Sequence, residues 1–149
     1  MLLEKKTSWI VVADEASAIV YERKERHGPL TELFQLSNEA GRKKTGELLA
    51  DRGGRAFDSH GQGRHTMAKE KDSPKRHVAA VFAKSIAERI VSAIKEKACD
   101  EFVLIAPPRF LGQLRDALGK TANVAPVLAI DKEMVGKDTT AIEKLLAGQ

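Results

Sequence analysis

Between positions 51 and 76 only Ala56, Phe57, Met67 and Ala68 are apolar, and Gly53, Gly54, Gly61 and Gly63 break any regular period. Such a stretch cannot supply a core, because it has too little apolar surface to offset the conformational entropy lost on ordering it. The core must be assembled from the two parts on either side. With 149 residues, 42% of them hydrophobic, one compact domain over residues 1–149 is expected, with residues 51–76 as a long connection. Structureless connections longer than about 12 to 15 residues are uncommon in compact domains, and those that occur are usually functional or disordered.

The part before this stretch reads as strands. Residues 8–14 form a β-branched apolar run suited to a buried strand, and residues 17–22 follow as its antiparallel partner. A third strand is expected over 30–36, after the turn signal His27, Gly28, Pro29, with Leu30, Glu32, Phe34 and Leu36 on one face against Thr31, Leu33 and Gln35. The part after it reads as helices alternating with strands. Ser73 is placed to cap a long helix and Pro74 to fill its first position. Val78, Phe82, Ile86, Ile90 and Ile94 recur every four residues, with Val81 and Val91 widening the stripe. Residues 102–106 are a continuous apolar strand. Pro107 and Pro108 open a second helix carrying Phe110, Leu111, Leu114 and Leu118, which Gly119 is expected to end. Residues 124–130 form another strand, which Pro126 places at an edge or delays. Thr140 and Glu143, in capping-box spacing, open a last helix with Leu145 and Leu146. This order predicts a three-layer α/β domain, a mixed and mostly five-stranded sheet covered by helices.

Charge is unevenly distributed. The chain has 25 Lys plus Arg against 21 Asp plus Glu, net +4. Residues 42–77 hold ten basic and five acidic side chains, net +5, together with three of the four histidines, so the remainder nets −1. A field of this sign favours an anionic partner, with nucleic acid ahead of a membrane because the segment has no apolar face for lipid. Arg52, Arg55, Arg64, His65, Lys69, Lys71, Lys75 and Arg76 are the candidate phosphate contacts. Arg109 forms a candidate second patch near the N-terminus of a helix, where orphan N–H groups attract anions. The competing reading is a solvated loop whose charges only keep it in water.

No run of 18 apolar residues and no signal-peptide pattern is visible. The single cysteine, Cys99, excludes an internal disulfide framework and a cysteine-based zinc cluster. A cytoplasmic protein without cofactor is expected. Asp58, Ser59 and His60 are adjacent, whereas triads are built from distant segments. His60, His65 and His77 with Asp51 or Asp58 match no metal-ligand spacing, so no metal site is expected. Asp14 and Asp131 each end an apolar strand, where carboxylates can bind magnesium as in nucleases or serve a turn. Trp9, Phe34 and Cys99 read as core.

The string Asp51, Arg52, Gly53, Gly54, Arg55, Ala56, Phe57, Asp58, Ser59, His60, Gly61, Gln62, Gly63, Arg64, His65, followed by Pro74 and Lys75, resembles the signature of the bacterial host attachment family. Residues 9–18, residues 104–118 (LIAPPRFLGQLRDAL) and Asp131, Lys132, Glu133 agree with the same resemblance. Proteins of this family are labelled as required for attachment to host cells. The family in turn looks like the middle domain of the archaeal and eukaryotic peptide-chain release factor, where a long glycine-rich loop between a strand and a long helix carries a Gly-Gly-Gln tip to the ribosome. That resemblance implies a module presenting a basic loop to RNA, either the ribosome or tRNA, and so a place in translation. In this chain Gly53 and Gly54 are followed by Arg55, and Gln62 is flanked by Gly61 and Gly63.

The flanking glycines allow close backbone approach, and the Gln62 amide offers both an acceptor and a donor to order a water. Peptidyl-tRNA ester hydrolysis, with Gln62 positioning water and Arg55 and Arg64 on phosphate, is therefore an alternative to simple RNA binding. A protein-interaction module in attachment itself is the third.

Overall fold

The computed structural model describes residues 6–25, 27–38 and 74–149. Among them the order is β1 (Ser8–Ala13), β2 (Ser17–Arg23), β3 (Thr31–Ser37), α1 (Pro74–Lys95), β4 (Glu101–Ala106), α2 (Pro108–Ala122), β5 (Leu128–Asp131) and α3 (Thr139–Ala147). The strands form one sheet in the order β3-β2-β1-β4-β5. β1, β2 and β3 are an antiparallel meander, whereas β1, β4 and β5 run parallel. β1 lies at the centre and all six of its residues are buried, as its unbroken apolar run requires of a strand covered on both sides.

Alternation along β1 divides the core in two. Trp9, Val11 and Ala13 pack with Phe82, Ile86 and Ile90 of α1 and Phe110, Leu114 and Leu118 of α2. Ile10 and Val12 pack on the opposite face with Ile142 and Leu146 of α3. The result is a mixed five-stranded sheet between helices, the expected three-layer α/β fold. Burying each of these large side chains stabilises the fold by about 1.5–3 kcal/mol.

Four local expectations are corrected. The pairing of β2 with β3 shifts register after Val20, so that Val20 faces Phe34 and Tyr21 faces Glu32. Leu33 is the extra residue of a bulge, which moves Leu30 and Glu32 to the face opposite Phe34 and Leu36. Leu30 accordingly joins the α3-side core while Phe34 and Leu36 pack on the α1 side. On α1, the buried stripe takes in Ala79, Ala83 and Ala87, and Val81 is 53% exposed. Val81 precedes Ile86 by five residues, which turns it about 140° away from the sheet. Helix α2 runs through Gly119 to Ala122 and ends at Asn123, whose left-handed φ of 57° replaces the expected glycine. Helix α3 is capped by Asp138, whose side chain accepts from Ala141 N, while Glu143 Oε2 accepts from Leu30 N at 3.2 Å and ties the helix to the turn before β3.

Both edges discourage pairing with another chain. β3 is kinked by its bulge, and β5 is four residues long and starts only after Pro126. The delayed start and the edge position agree with what Pro126 implied.

Candidate functional site

Because β1, β4 and β5 are parallel, their C-terminal ends share one edge of the sheet. β3 is antiparallel to β2 and so ends at the same edge. There Asn38 is pinned to the β1–β2 turn, with its N donating to Ala16 O at 2.9 Å and its Nδ2 donating to Glu15 O at 3.0 Å. The turn itself is closed by Asp14, whose Oδ1 accepts from Ala16 N at 2.8 Å and from Ser17 N at 2.9 Å. This is the turn role of Asp14 rather than the metal-binding one. Among the described residues no three His, Cys, Asp or Glu side chains converge as metal ligands would.

The C-terminus of α1 leads into the start of β4, so α1 runs back along the sheet and begins at the edge where the parallel strands end. Its 22 residues span about 33 Å, against about 20 Å for the six residues of β4. Helix α2 starts at this edge too, directly after β4. The two helices begin side by side, as Gln113 Nε2 donating to Arg76 O at 3.4 Å shows, and Phe82 stacks on Phe110 beneath them with centroids 6.1 Å apart. The fold thus brings Lys75 and Arg76 of α1 to the same end of the molecule as Arg109 of α2. All three are exposed. The other expected site residues, Arg52, Gly53, Gly54, Arg55, Gly61, Gln62, Gly63, Arg64, His65, Lys69 and Lys71, lie outside the described residues. So does Ser73.

The charge of this helix pair was not apparent along the chain. α1 carries Lys75, Arg76, Lys84, Arg89 and Lys95 against Glu88 alone, and α2 carries Arg109, Arg115 and Lys120 against Asp116 alone. The pair nets +6. The rest of the described residues hold seven Lys and Arg against twelve Asp and Glu, net −5. Lys84, Arg109, Arg115 and Lys120 take part in neither the Lys6–Glu101 nor the Lys24–Glu22 ion pair. Arg89 is engaged on the Phe34 ring, 4.1 Å from its centroid, and Phe34 in turn meets Trp9 edge to face.

A groove of about 600 Å³ runs between α1 and α2. Its α1 wall is Arg76, Ala80, Lys84 and Glu88, spaced by four residues and therefore in one column on the helix. Gln113, Asp116, Ala117 and Lys120 line the α2 wall. Lys84 and Lys120 are the members that sequence reading missed, and the four-residue spacing from Arg76 was the signal available for Lys84.

Neither helix has an acidic residue in its first turn. Helix α2 also begins at Pro107 without a side-chain cap, leaving its first N–H groups to solvent or an anion. Elsewhere, burial pushes the Cys99 thiol up to about 11, with Asp100 and Glu22 adding to the effect. A thiol held protonated is a packing group rather than a nucleophile. Tyr21 is raised from its ordinary value by burial and by Glu32.

Comparison with known proteins gives three results. A family model described as "Protein required for attachment to host cells" matches residues 9–146. No curated protein matches the sequence. Among solved structures, the chain is similar to the type II crystal variant of the Ppx/GppA phosphatase of Aquifex aeolicus, at 9% identity and a TM-score of 0.43, over 84% of this chain and 35% of that one. This chain therefore spans about a third of that enzyme.

Proposed function

The chain belongs to the family of proteins required for attachment to host cells, and from that premise we propose that it is a binding module for structured RNA, either the ribosome or tRNA. The observation that carries this proposal is the segregation of charge, net +6 on the α1–α2 layer against −5 on the other described residues. A surface of that sign attracts phosphate, releases counterions on binding, and fixes register without reading sequence. Lys75, Arg76 and Arg109 stand at the end where both helices begin, and α2 offers uncapped N–H groups there. Arg52, Arg55, Arg64, His65, Lys69 and Lys71, which lie outside the described residues, are the further phosphate contacts the sequence offers.

Structured RNA fits better than a single strand. Single-strand binders stack bases on exposed aromatic rings. Among the described residues Trp9, Tyr21, Phe82, Phe102 and Phe110 are buried and Phe34 is half-buried, so the cationic face offers phosphate contacts and no stacking platform. A release-factor-like presentation of residues 51–76 to the ribosome is the finer form of this proposal. The protein would then act in the cytoplasm, and attachment would depend on it indirectly through translation.

The test is binding of purified protein to tRNA by fluorescence anisotropy between 50 and 200 mM salt. Affinity is expected to fall steeply over that range, and Arg64→Ala to reduce the salt slope by about one. Absent or salt-independent binding overturns the proposal. Release of the peptide from peptidyl-tRNA, lost in Gln62→Ala, would replace it by ester hydrolysis. Recovery of the native protein outside the cell would replace it by a direct role in attachment.

A further inference from the structure

The groove between α1 and α2 has a composition that general attraction to a polyanion does not explain. Three cations, Arg76, Lys84 and Lys120, share it with two carboxylates, Glu88 and Asp116. A surface evolved only to hold phosphate has no use for acids beside its lysines, because like charge repels the ligand. An inorganic anion would meet the same repulsion, and an acyl chain would find too few apolar walls. Carboxylates beside cations suit a ligand that carries both negative charge and hydrogen-bond donors.

The shape points the same way. Each wall of the groove contributes one short apolar side chain, Ala80 on α1 and Ala117 on α2, and a longer side chain at either position would take up part of its volume. Its volume of about 600 Å³ lies within the range of about 300–1,000 Å³ typical of small-molecule sites. At one end, Gln113 Oε1 is buried with no hydrogen-bond partner, while its Nε2 makes a long 3.4 Å bond to Arg76 O. A buried acceptor left unpaired is costly, and turning this amide toward the groove would give it a ligand N–H.

We propose that the α1–α2 groove is a ribonucleotide site, in which Lys84 and Lys120 hold the phosphate, Asp116, between Gln113 and Lys120 on α2, accepts from the ribose hydroxyls, and Gln113 accepts from the base. The inference rests on reading this face as phosphate-binding, and it names the unit recognised there. The nucleotide can be free or can be one unit of an RNA chain. The shared chemistry is a phosphate and a ribose diol. The 2′-hydroxyl, a donor within reach of a carboxylate, is the group that separates RNA from DNA.

The experiment is calorimetric titration of the full-length protein with 5′-AMP, 2′-deoxy-AMP and inorganic phosphate, beside anisotropy with a 20-base-pair RNA duplex. AMP is expected to bind, with deoxy-AMP about tenfold weaker for want of one hydrogen bond to a charged group. Ala80→Leu, which fills the groove, keeps the net charge and favours helix, is expected to weaken AMP at least tenfold while leaving the duplex unaffected. Lys120→Gln serves as a second variant and is expected to weaken AMP as well. If AMP binds and neither variant weakens it, the site is not this groove. If AMP fails to bind, or phosphate alone binds as well, there is no ribonucleotide site. If deoxy-AMP equals AMP, Asp116 does not read ribose. Loss of duplex binding alone overturns the reading of the whole face and leaves the groove standing. With AMP binding weakened by Ala80→Leu, an unpaired oligoribonucleotide that the same variant also weakens places the nucleotide within an RNA chain, whereas oligoribonucleotide binding untouched by Ala80→Leu assigns the groove to the free nucleotide.

Discussion

The two faces of the sheet are covered in different ways. On one side α1 and α2, 22 and 15 residues long, lay a net +6 over the core. On the other side α3, nine residues long, carries Glu143 and Lys144 and is neutral. The helix starts differ as well. Asp138 caps α3 by accepting from Ala141 N at 2.9 Å, which is how an N-terminus is stabilised when stability is all that matters. Helix α2 starts at an uncapped proline and places Arg109, a cation, in the turn where the macrodipole favours an anion. Natural proteins break such local rules where function needs them broken. The α3 face holds the fold together, and the α1–α2 face holds it together while keeping a cationic surface available.

If that contrast concerns the surface only, the two cores must matter equally. Leu114 of α2 and Ile142 of α3 are both 0% exposed. Leu114→Ala and Ile142→Ala are each expected to destabilise the protein by about 2–5 kcal/mol, as chemical denaturation would measure. A negligible loss at Ile142 would mean that α3 is not docked, and the two faces would then differ in their cores as well.

The next largest effect concerns binding. Lys84→Glu with Lys120→Glu reverses two cations of the proposed phosphate-binding face, and affinity for tRNA at 0.1 M salt is expected to drop about fiftyfold. Two contacts with a slope of roughly 0.9 each act over the decade below 1 M. Lys137→Glu with Lys144→Glu makes the same charge change on the α3 side, and about a twofold loss at most is expected there. Equal losses from the two pairs would show that net charge alone governs binding and that neither face is special.

How much of this could be read in the chain depends on which interactions decide it. The strands and helices were legible because apolar period reports burial directly: the run at residues 8–14, the four-residue repeat from Val78 and the double proline before α2 all mark real elements. The Leu33 bulge was not legible, because one inserted residue changes the face of its neighbours without changing composition. The cap of α3 was misplaced by two residues because Asp138 and Thr140 are both good caps, and the choice was settled by Glu143 reaching across to Leu30 N. The candidate site was legible only in part. Counting along the chain put the positive balance in residues 42–77 and gave the remainder a net −1. That remainder is a sum of opposites, since Lys84, Arg115 and Lys120 collect on two helices that meet only after folding, while the acids collect elsewhere.

The contrast between the helix starts gives two smaller predictions of opposite sign. Asp138→Ala removes the α3 cap and is expected to cost about 1 kcal/mol of stability without touching RNA affinity. Arg109→Glu puts an acid in the first turn of α2, where it is expected to stabilise the protein by about 0.3–1 kcal/mol, while the salt slope of RNA binding falls by about one. Thermal melts and salt titrations of the same preparation read both quantities. A variant that gains stability and loses affinity separates the two roles at one residue, because a merely neglected helix end would gain stability at no cost in binding. Unchanged RNA affinity in Arg109→Glu would therefore remove Arg109 from the binding surface and leave the uncapped start of α2 without a functional reason.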